Sequence, residues 1–68
     1  MTAAQRRADK AIGSRVHVRA PHVGPDGYEG EWFVIVATEY RGSIDYGLAR
    51  NASADYPTVW IHESRVSS

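Results

Sequence analysis

The sequence predicts a mainly β fold, a small antiparallel barrel of four to five strands behind a short N-terminal helix or arm. Two observations carry this prediction. An eleven-residue run at 30–40, GEWFVIVATEY, is rich in β-branched and aromatic residues and is apolar on both alternating faces. Shorter alternating runs on either side of it are separated by segments rich in glycine and proline. The 68 residues suffice for one domain with a small core.

The first dozen residues carry the spacing of a short helix. Thr2 and Gln5 stand three positions apart, as in a capping box, and Gly13 stands where a glycine often follows a helix. A frayed tail is the alternative, because alanines bury little area. We therefore divide the chain into a basic helix or arm at 1–12 and a β-barrel domain at 13–68. The apolar stripe of the predicted helix is Ala4, Ala8, Ala11 and Ile12.

Residues 14–20 predict the first strand, because apolar and polar residues alternate there with a period of two. The loop that follows, 21–29, holds two prolines and two glycines and is long for so small a domain. The side chains predicted to face the core are those of Val16, Val18 and Ala20, and those predicted to face outward are those of Arg15, His17 and Arg19.

The central strand at 30–40 leads into a predicted tight hairpin at Arg41 and Gly42, because glycine supplies the positive φ that such a turn needs. A third strand at 43–50 returns beside it. Gly47, inside that strand, predicts a bulge or a sharp coil. The core-facing residues of the third strand are predicted to be Ile44, Tyr46 and Leu48.

The last third of the chain predicts a fourth strand and a short closing strand. After a loop at 51–57, the run TVWI at 58–61 has strand composition, and 62–66 predicts a turn followed by the closing strand. Truncation of a buried tryptophan costs about 3–5 kcal/mol, which is a large share of the stability of so small a domain. We therefore expect at least one of Trp32 and Trp60 to anchor the core.

Three short segments share the pattern of one group of small barrels. GSRVHV at 13–18 resembles the opening strand, YGL at 46–48 the hydrophobic middle strand, and VWIHESRV at 59–66 the last full strand, one-turn helix and closing strand of SH3-like barrels of the Tudor and KOW kind. The resemblance covers residues 13–66. It implies a closed barrel that acts as a binding module.

Aromatic residues near the loops of such barrels either cage methylated side chains or stack on nucleic-acid bases, and the resemblance implies the same roles for aromatic residues here. A cage requires three or four rings to converge, which a sequence alone does not establish. The corresponding candidates, all near predicted loops, are Tyr28, Tyr40 and Tyr56.

Charge is distributed unevenly along the chain, although the formal net charge is zero. Residues 1–20 hold five basic residues and one acidic residue, for a net charge of +4, whereas 21–68 hold three basic and seven acidic residues, for a net charge of −4. The basic segment is either an arm that contacts phosphates or the complement of the chain's own acidic body. The candidate phosphate contacts are Arg6, Arg7, Lys10, Arg15 and Arg19.

Catalytic residues, metals and cofactors are not expected. The chain has no cysteine, and its three histidines lack paired metal-ligand spacing. His62, Glu63 and Ser64 are the residue types of a hydrolase triad, but adjacent residues cannot converge as nucleophile, base and orienting group. No apolar run resembles a signal peptide or reaches the roughly 20 residues that span a bilayer, so we expect a cytoplasmic protein.

The outward face of the central strand is apolar and needs a cover, which is either the stripe of the N-terminal helix or a second copy of the chain. We therefore predict a non-enzymatic module for protein–protein interaction, including self-association. Small size and seven arginines to one lysine suggest an accessory protein of a bacterium or phage. The alternative function is nucleic-acid binding by the basic arm and first strand. The outward residues are Phe33, Ile35 and Ala37, and the candidate interaction patch is Phe33, Ile35, Tyr28, Tyr40 and Tyr56.

Overall fold

The computed structural model describes residues 8–68, which form a mainly β protein. Its elements in chain order are β1 (Arg15–Val18), β2 (Gly30–Tyr40), β3 (Ser43–Ala49), β4 (Val59–His62), a 3-10 helix (Glu63–Arg65) and β5 (Val66–Ser67). The five antiparallel strands share one sheet in the order β4-β3-β2-β1-β5. The sheet is not closed, because β4 and β5 lie at its two edges. Over residues 8–68, no helix has the length and apolar character needed to cross a membrane.

β2 and the turn after it lie where the sequence predicts them. β2 spans Gly30–Tyr40, and its hairpin with β3 turns at Arg41 and Gly42. Both turn residues have positive φ, 52° and 84°, as a two-residue type I′ turn requires. Glycine adopts this conformation freely, whereas the Arg41 side chain makes it costly. The predicted tight hairpin is confirmed.

The bulge in this hairpin lies in β2 and not at Gly47, so its predicted position is wrong. Val34 pairs with Leu48 and Val36 pairs with Gly47, which leaves Ile35 as an extra residue between them. The extra residue reverses the alternation of side chains along the rest of β2.

The core lies on one face of the sheet. The bulge turns Ala37 inward, where it pairs with Tyr46 and is buried, so its predicted outward position is wrong. Ala20, predicted to face the core, lies beyond the end of β1 and is exposed. The other core-facing predictions in β1 and β3 are confirmed. The buried cluster contains Val16, Val18, Trp32, Val34, Ala37, Ile44, Tyr46, Leu48, Ile61 and Val66.

Trp32 is the tryptophan that anchors the core, as expected of at least one of the two. Its side chain is 3% exposed, and its indole Nε1 donates to the carbonyl oxygen of Tyr28 at 2.8 Å. The guanidinium of Arg50 lies 3.6 Å from the centroid of the indole ring and donates to the carbonyl oxygen of Glu31 at 2.7 Å. The Arg50 guanidinium therefore covers one face of the indole ring in a cation–π contact.

The chain before β1 packs against the core without forming a helix at residues 8–12. Ala8 packs against the buried cluster, and the Tyr46 hydroxyl donates to Asp9 Oδ1 at 3.0 Å. Burial, followed by the bond to Asp9, raises the pKa of Tyr46 above its usual value. The backbone amide of Gly13 donates to the carbonyl oxygen of Val34 at 2.6 Å. The earlier part of the predicted helix lies outside the described residues.

Candidate interaction surface

The face of the sheet opposite the core carries apolar residues from β2, β3 and β4, and we call it the outer face. Cross-strand pairing sets Phe33 beside Ala49, and sets Gly47 between Val36 and Trp60. Residues paired in this way on neighbouring strands share a face. Ala49 is buried although it lies outside the core cluster, so the outer face is partly covered.

Pro57, in the loop before β4, supplies part of that cover. A Cβ atom placed on Gly47 would lie 2.6 Å from Val36 Cγ1 and 2.9 Å from Pro57 Cβ and Cγ. The side chains of Val36 and Pro57 therefore meet over a residue that has no side chain. The backbone amide of Thr58 holds the loop in place by donating to the carbonyl oxygen of Leu48 at 2.7 Å.

Around this contact lies a group of apolar side chains that remain partly open to solvent. Trp60 is 50% exposed, and the others are partly buried. The guanidinium of Arg15 lies 5.8 Å from the centroid of the Phe33 ring, at the β1 side of the group. We call this group the outer strip, and its members are Phe33, Ile35, Val36, Pro57 and Trp60.

Two members of the outer strip, Phe33 and Ile35, are predicted from the sequence, and the other three are not. Ile35 is the bulge residue and does not pack against the core cluster. Strand alternation in β4 could have placed Trp60 on the outer face, because its two neighbours in the strand face the core. The contact of Pro57 with Gly47 has no signal in the sequence.

The three predicted tyrosines lie at separate loops. Tyr28 precedes β2 and Tyr40 ends it, so they stand at opposite ends of an eleven-residue strand. Tyr56 lies in the loop before β4 and is 78% exposed. The guanidinium of Arg41 lies 5.3 Å from the centroid of the Tyr40 ring. These three rings therefore do not form a cage, and none of them belongs to the outer strip.

The predicted phosphate contacts form no single patch in the described part of the chain. Lys10 Nζ pairs with Asp9 Oδ2 at 2.9 Å, and this contact is the largest cause of the lowered pKa of Asp9. Arg15 lies beside the outer strip, whereas Arg19 follows β1 and donates to the carbonyl oxygen of Ser64. The two remaining candidates, Arg6 and Arg7, lie outside the described residues.

A cleft of about 490 Å³ lies between the loop after β1 and the 3-10 helix, with Arg19, His22 and Arg65 among its lining residues. The two arginines are already bonded within the chain. Arg65 NH1 pairs with Asp26 Oδ2 at 3.0 Å, and Arg65 Nε donates to the carbonyl oxygen of Arg19 at 3.0 Å. We therefore interpret these contacts as a brace that joins the loop to the helix.

The same brace lowers the pKa of a carboxyl group in the loop. The pKa of Asp26 is lowered to about 2, first by the hydrogen bond from Arg65 and then by the backbone amide of Tyr28, which donates to Asp26 Oδ1 at 3.0 Å. Glu29 accepts from the backbone amides of Asp26 at 2.6 Å and Gly27 at 3.2 Å. These carboxylates stabilise the turn. Between residues 8 and 68, no group of three or more metal-ligating side chains comes together.

The adjacent polar residues after β4 stabilise the end of the sheet. His62 Nδ1 accepts from the backbone amide of Ser64 at 3.1 Å and lies 2.9 Å from its Oγ, which caps the 3-10 helix. Glu63 Oε2 accepts from the backbone amide of Ile44 at 2.9 Å. Each of these side chains thus has a local bonding role.

Comparison with known proteins gives no match to the chain among protein-family models, curated proteins or solved structures. The candidate functional site is therefore the outer strip, where apolar side chains from β2, β4 and the loop before β4 meet solvent on one face.

Proposed function

We propose that the chain is a small non-enzymatic binding module that contacts another protein surface through the outer strip. The observation that carries this proposal is the half-exposed Trp60, which stands among partly buried apolar side chains on one face of the sheet. Apolar surfaces of this kind mark interfaces, and tryptophan is enriched among the residues that dominate binding energy.

We further propose that the sheet curls into an SH3-like barrel. The strand order, the tight β2–β3 hairpin and the 3-10 helix between the two edge strands support this. Ile61 of β4 and Val66 of β5 also belong to one core cluster although their strands lie at opposite edges, and a flat sheet would keep them apart. Curling makes the core side concave and leaves the outer face for a partner.

The contacts of the basic residues give less support to nucleic-acid binding. All six basic residues in the described part of the chain have a partner within it. Three lie over aromatic rings, two pair with carboxylates and one donates to a carbonyl oxygen. Phosphate contacts would compete with the ion pairs and hydrogen bonds among these contacts. The six residues are Lys10, Arg15, Arg19, Arg41, Arg50 and Arg65.

A pull-down from the native host tests the proposal, with three forms of the protein as bait and the bound material scored as protein or nucleic acid. We expect the wild type and a Tyr40→Ser control to retain the same proteins, and Trp60→Ser to retain them at least about tenfold less well. Tyr40 is a matched control because it is an exposed aromatic residue at the hairpin, outside the outer strip.

Equal retention of proteins by all three baits would overturn the proposal, as would retention of nucleic acid alone. Retention of nothing by the wild type, together with a monomeric state of the purified protein, would also overturn it. Far-UV circular dichroism of each bait establishes that a loss of retention does not come from unfolding.

A further inference from the structure

We propose that the partner of the outer strip is a second copy of this chain, bound face to face across a two-fold axis. This inference rests on the proposed function, since both use the same surface. It goes further because it fixes which residues meet across the interface. It rests on two charged residues that take part in no ion pair within the described part of the chain, and on the register of the strands.

Two opposite charges stand on the outer face, on either side of the outer strip. Arg15 lies on β1 directly beside Phe33, and Asp45 lies on β3 between Thr38 and His62. In the described part of the chain, neither charge takes part in an ion pair. A partner with the opposite arrangement of charge would complement both.

Val36 lies midway between these two charges. On β2, Val36 lies between Phe33 and Thr38. Phe33 pairs with Arg15 on β1, and Thr38 pairs with Asp45 on β3. The strands β1 and β3 lie on opposite sides of β2. With strands about 4.8 Å apart and successive outward positions about 7 Å apart, Arg15 and Asp45 are roughly 17 Å apart across the face. A two-fold axis that lies in the plane between the two outer faces, passes over Val36 and runs perpendicular to the line from Arg15 to Asp45 sets each Arg15 opposite Asp45 of the second copy.

The same axis brings the large aromatic side chains together. Trp60 lies two strands from Val36, in the row that passes through Gly47. Rotation about the axis places it between Phe33 and Ala49 of the second copy. Each Trp60 then covers a Phe33 that is only partly buried within its own chain, and the contact occurs twice because a two-fold interface uses one patch on both subunits.

The two kinds of contact have different roles. Burial of Trp60 and Phe33 supplies most of the affinity, because large aromatic side chains at the centre of an interface dominate binding. The Arg15–Asp45 pairs at the margin select the orientation, since opposed like charges would exclude the competing arrangements.

Sedimentation velocity of the purified protein over a range of concentrations tests the inference. We expect a reversible dimer, abolished by Trp60→Ser. The single reversals Arg15→Asp and Asp45→Arg each place like charges opposite one another, so each is expected to raise the dissociation constant at least about tenfold. The combined reversal Arg15→Asp with Asp45→Arg re-creates two opposite pairs and is expected to restore dimerisation. Arg41→Asp, at the hairpin, is the control and is expected to change nothing.

Each alternative outcome contradicts the inference at a defined point. A wild type that stays monomeric removes the second copy as partner, while retention of a host protein that depends on Trp60 would leave the proposed function standing. A dimer that Trp60→Ser does not affect uses another surface. A dimer that needs Trp60 but is not restored by the combined reversal has a different orientation, which contradicts the axis over Val36.

Discussion

The substitution Gly47→Ala tests the close approach on which the outer strip is built. The new Cβ atom would lie 2.6 Å from Val36 Cγ1 and 2.9 Å from two atoms of Pro57, closer than Cβ atoms approach other heavy atoms in proteins. Neither neighbour yields easily, because the valine side chain is stiff at χ1 and the proline ring is rigid. The loop that carries Pro57 must therefore move away from the sheet.

The expected cost follows from two opposing effects. Overpacking of a tight site costs about 1–3 kcal/mol. Replacement of glycine by alanine also restricts the unfolded chain, which stabilises the folded state by about 0.4–1 kcal/mol. A net loss of about 0.5–2 kcal/mol is large for a domain of this length, whose total stability is about 3–10 kcal/mol. At about 4–8 °C per kcal/mol, the melting temperature should fall by several degrees.

Thermal melts followed by far-UV circular dichroism measure this cost, in the wild-type and in the Val36→Ala background. Val36→Ala removes Cγ1, the atom nearest to the new methyl group. The cost of Gly47→Ala should therefore be smaller in that background than in the wild type. An unchanged or higher melting temperature for Gly47→Ala would refute the close approach. A cost that persists in full without Val36 Cγ1 would refute the contact with that residue.

Two further substitutions test the bonds that surround the core. The pKa of Asp26 is lowered to about 2, so its stabilising effect is present above about pH 4 and is lost as the pH falls towards 2. In the wild type, the urea midpoint of unfolding should fall as the pH is lowered over this interval, and Asp26→Asn should make that fall smaller. Asp55→Asn, in an exposed loop, is the control and should leave the fall unchanged. Equal pH profiles for the two variants would contradict the brace. Tyr46→Phe should cost about 0.5–1.5 kcal/mol in urea unfolding by removing the bond to Asp9, and a cost no larger than that of Tyr40→Phe would contradict it.

The strands could be predicted closely because local signals mark their ends. Gly30 opens β2 and Gly42 closes its turn, and both have positive φ, which a glycine adopts at no steric cost. Alternation in β1 and β3 placed Val16 and Tyr46 in the core. The bulge at Ile35 could not be located in the same way. A strand that is apolar on both faces contains no polar residue to mark the point at which the alternation reverses.

The outer strip was only partly predictable because its central contact is tertiary. Strand statistics predict a bulge or a sharp coil at Gly47, yet its lack of a side chain serves the approach of Pro57, ten positions further along the chain. The contacts of the basic residues could not be predicted from the sequence either. Arg50 and Trp32 lie eighteen positions apart and meet only because β2 and β3 pair.

The contrasting surroundings of the two tryptophans give the protein two separate optical reporters. Trp32 is sealed in the interior, and its emission should stay blue-shifted and out of reach of acrylamide until the chain unfolds. Trp60 is open to water on the opposite side of the sheet, and its emission should respond to whatever covers it. With one indole replaced by phenylalanine at a time, the variant that keeps Trp32 reports loss of structure and the variant that keeps Trp60 reports occupancy of the outer strip.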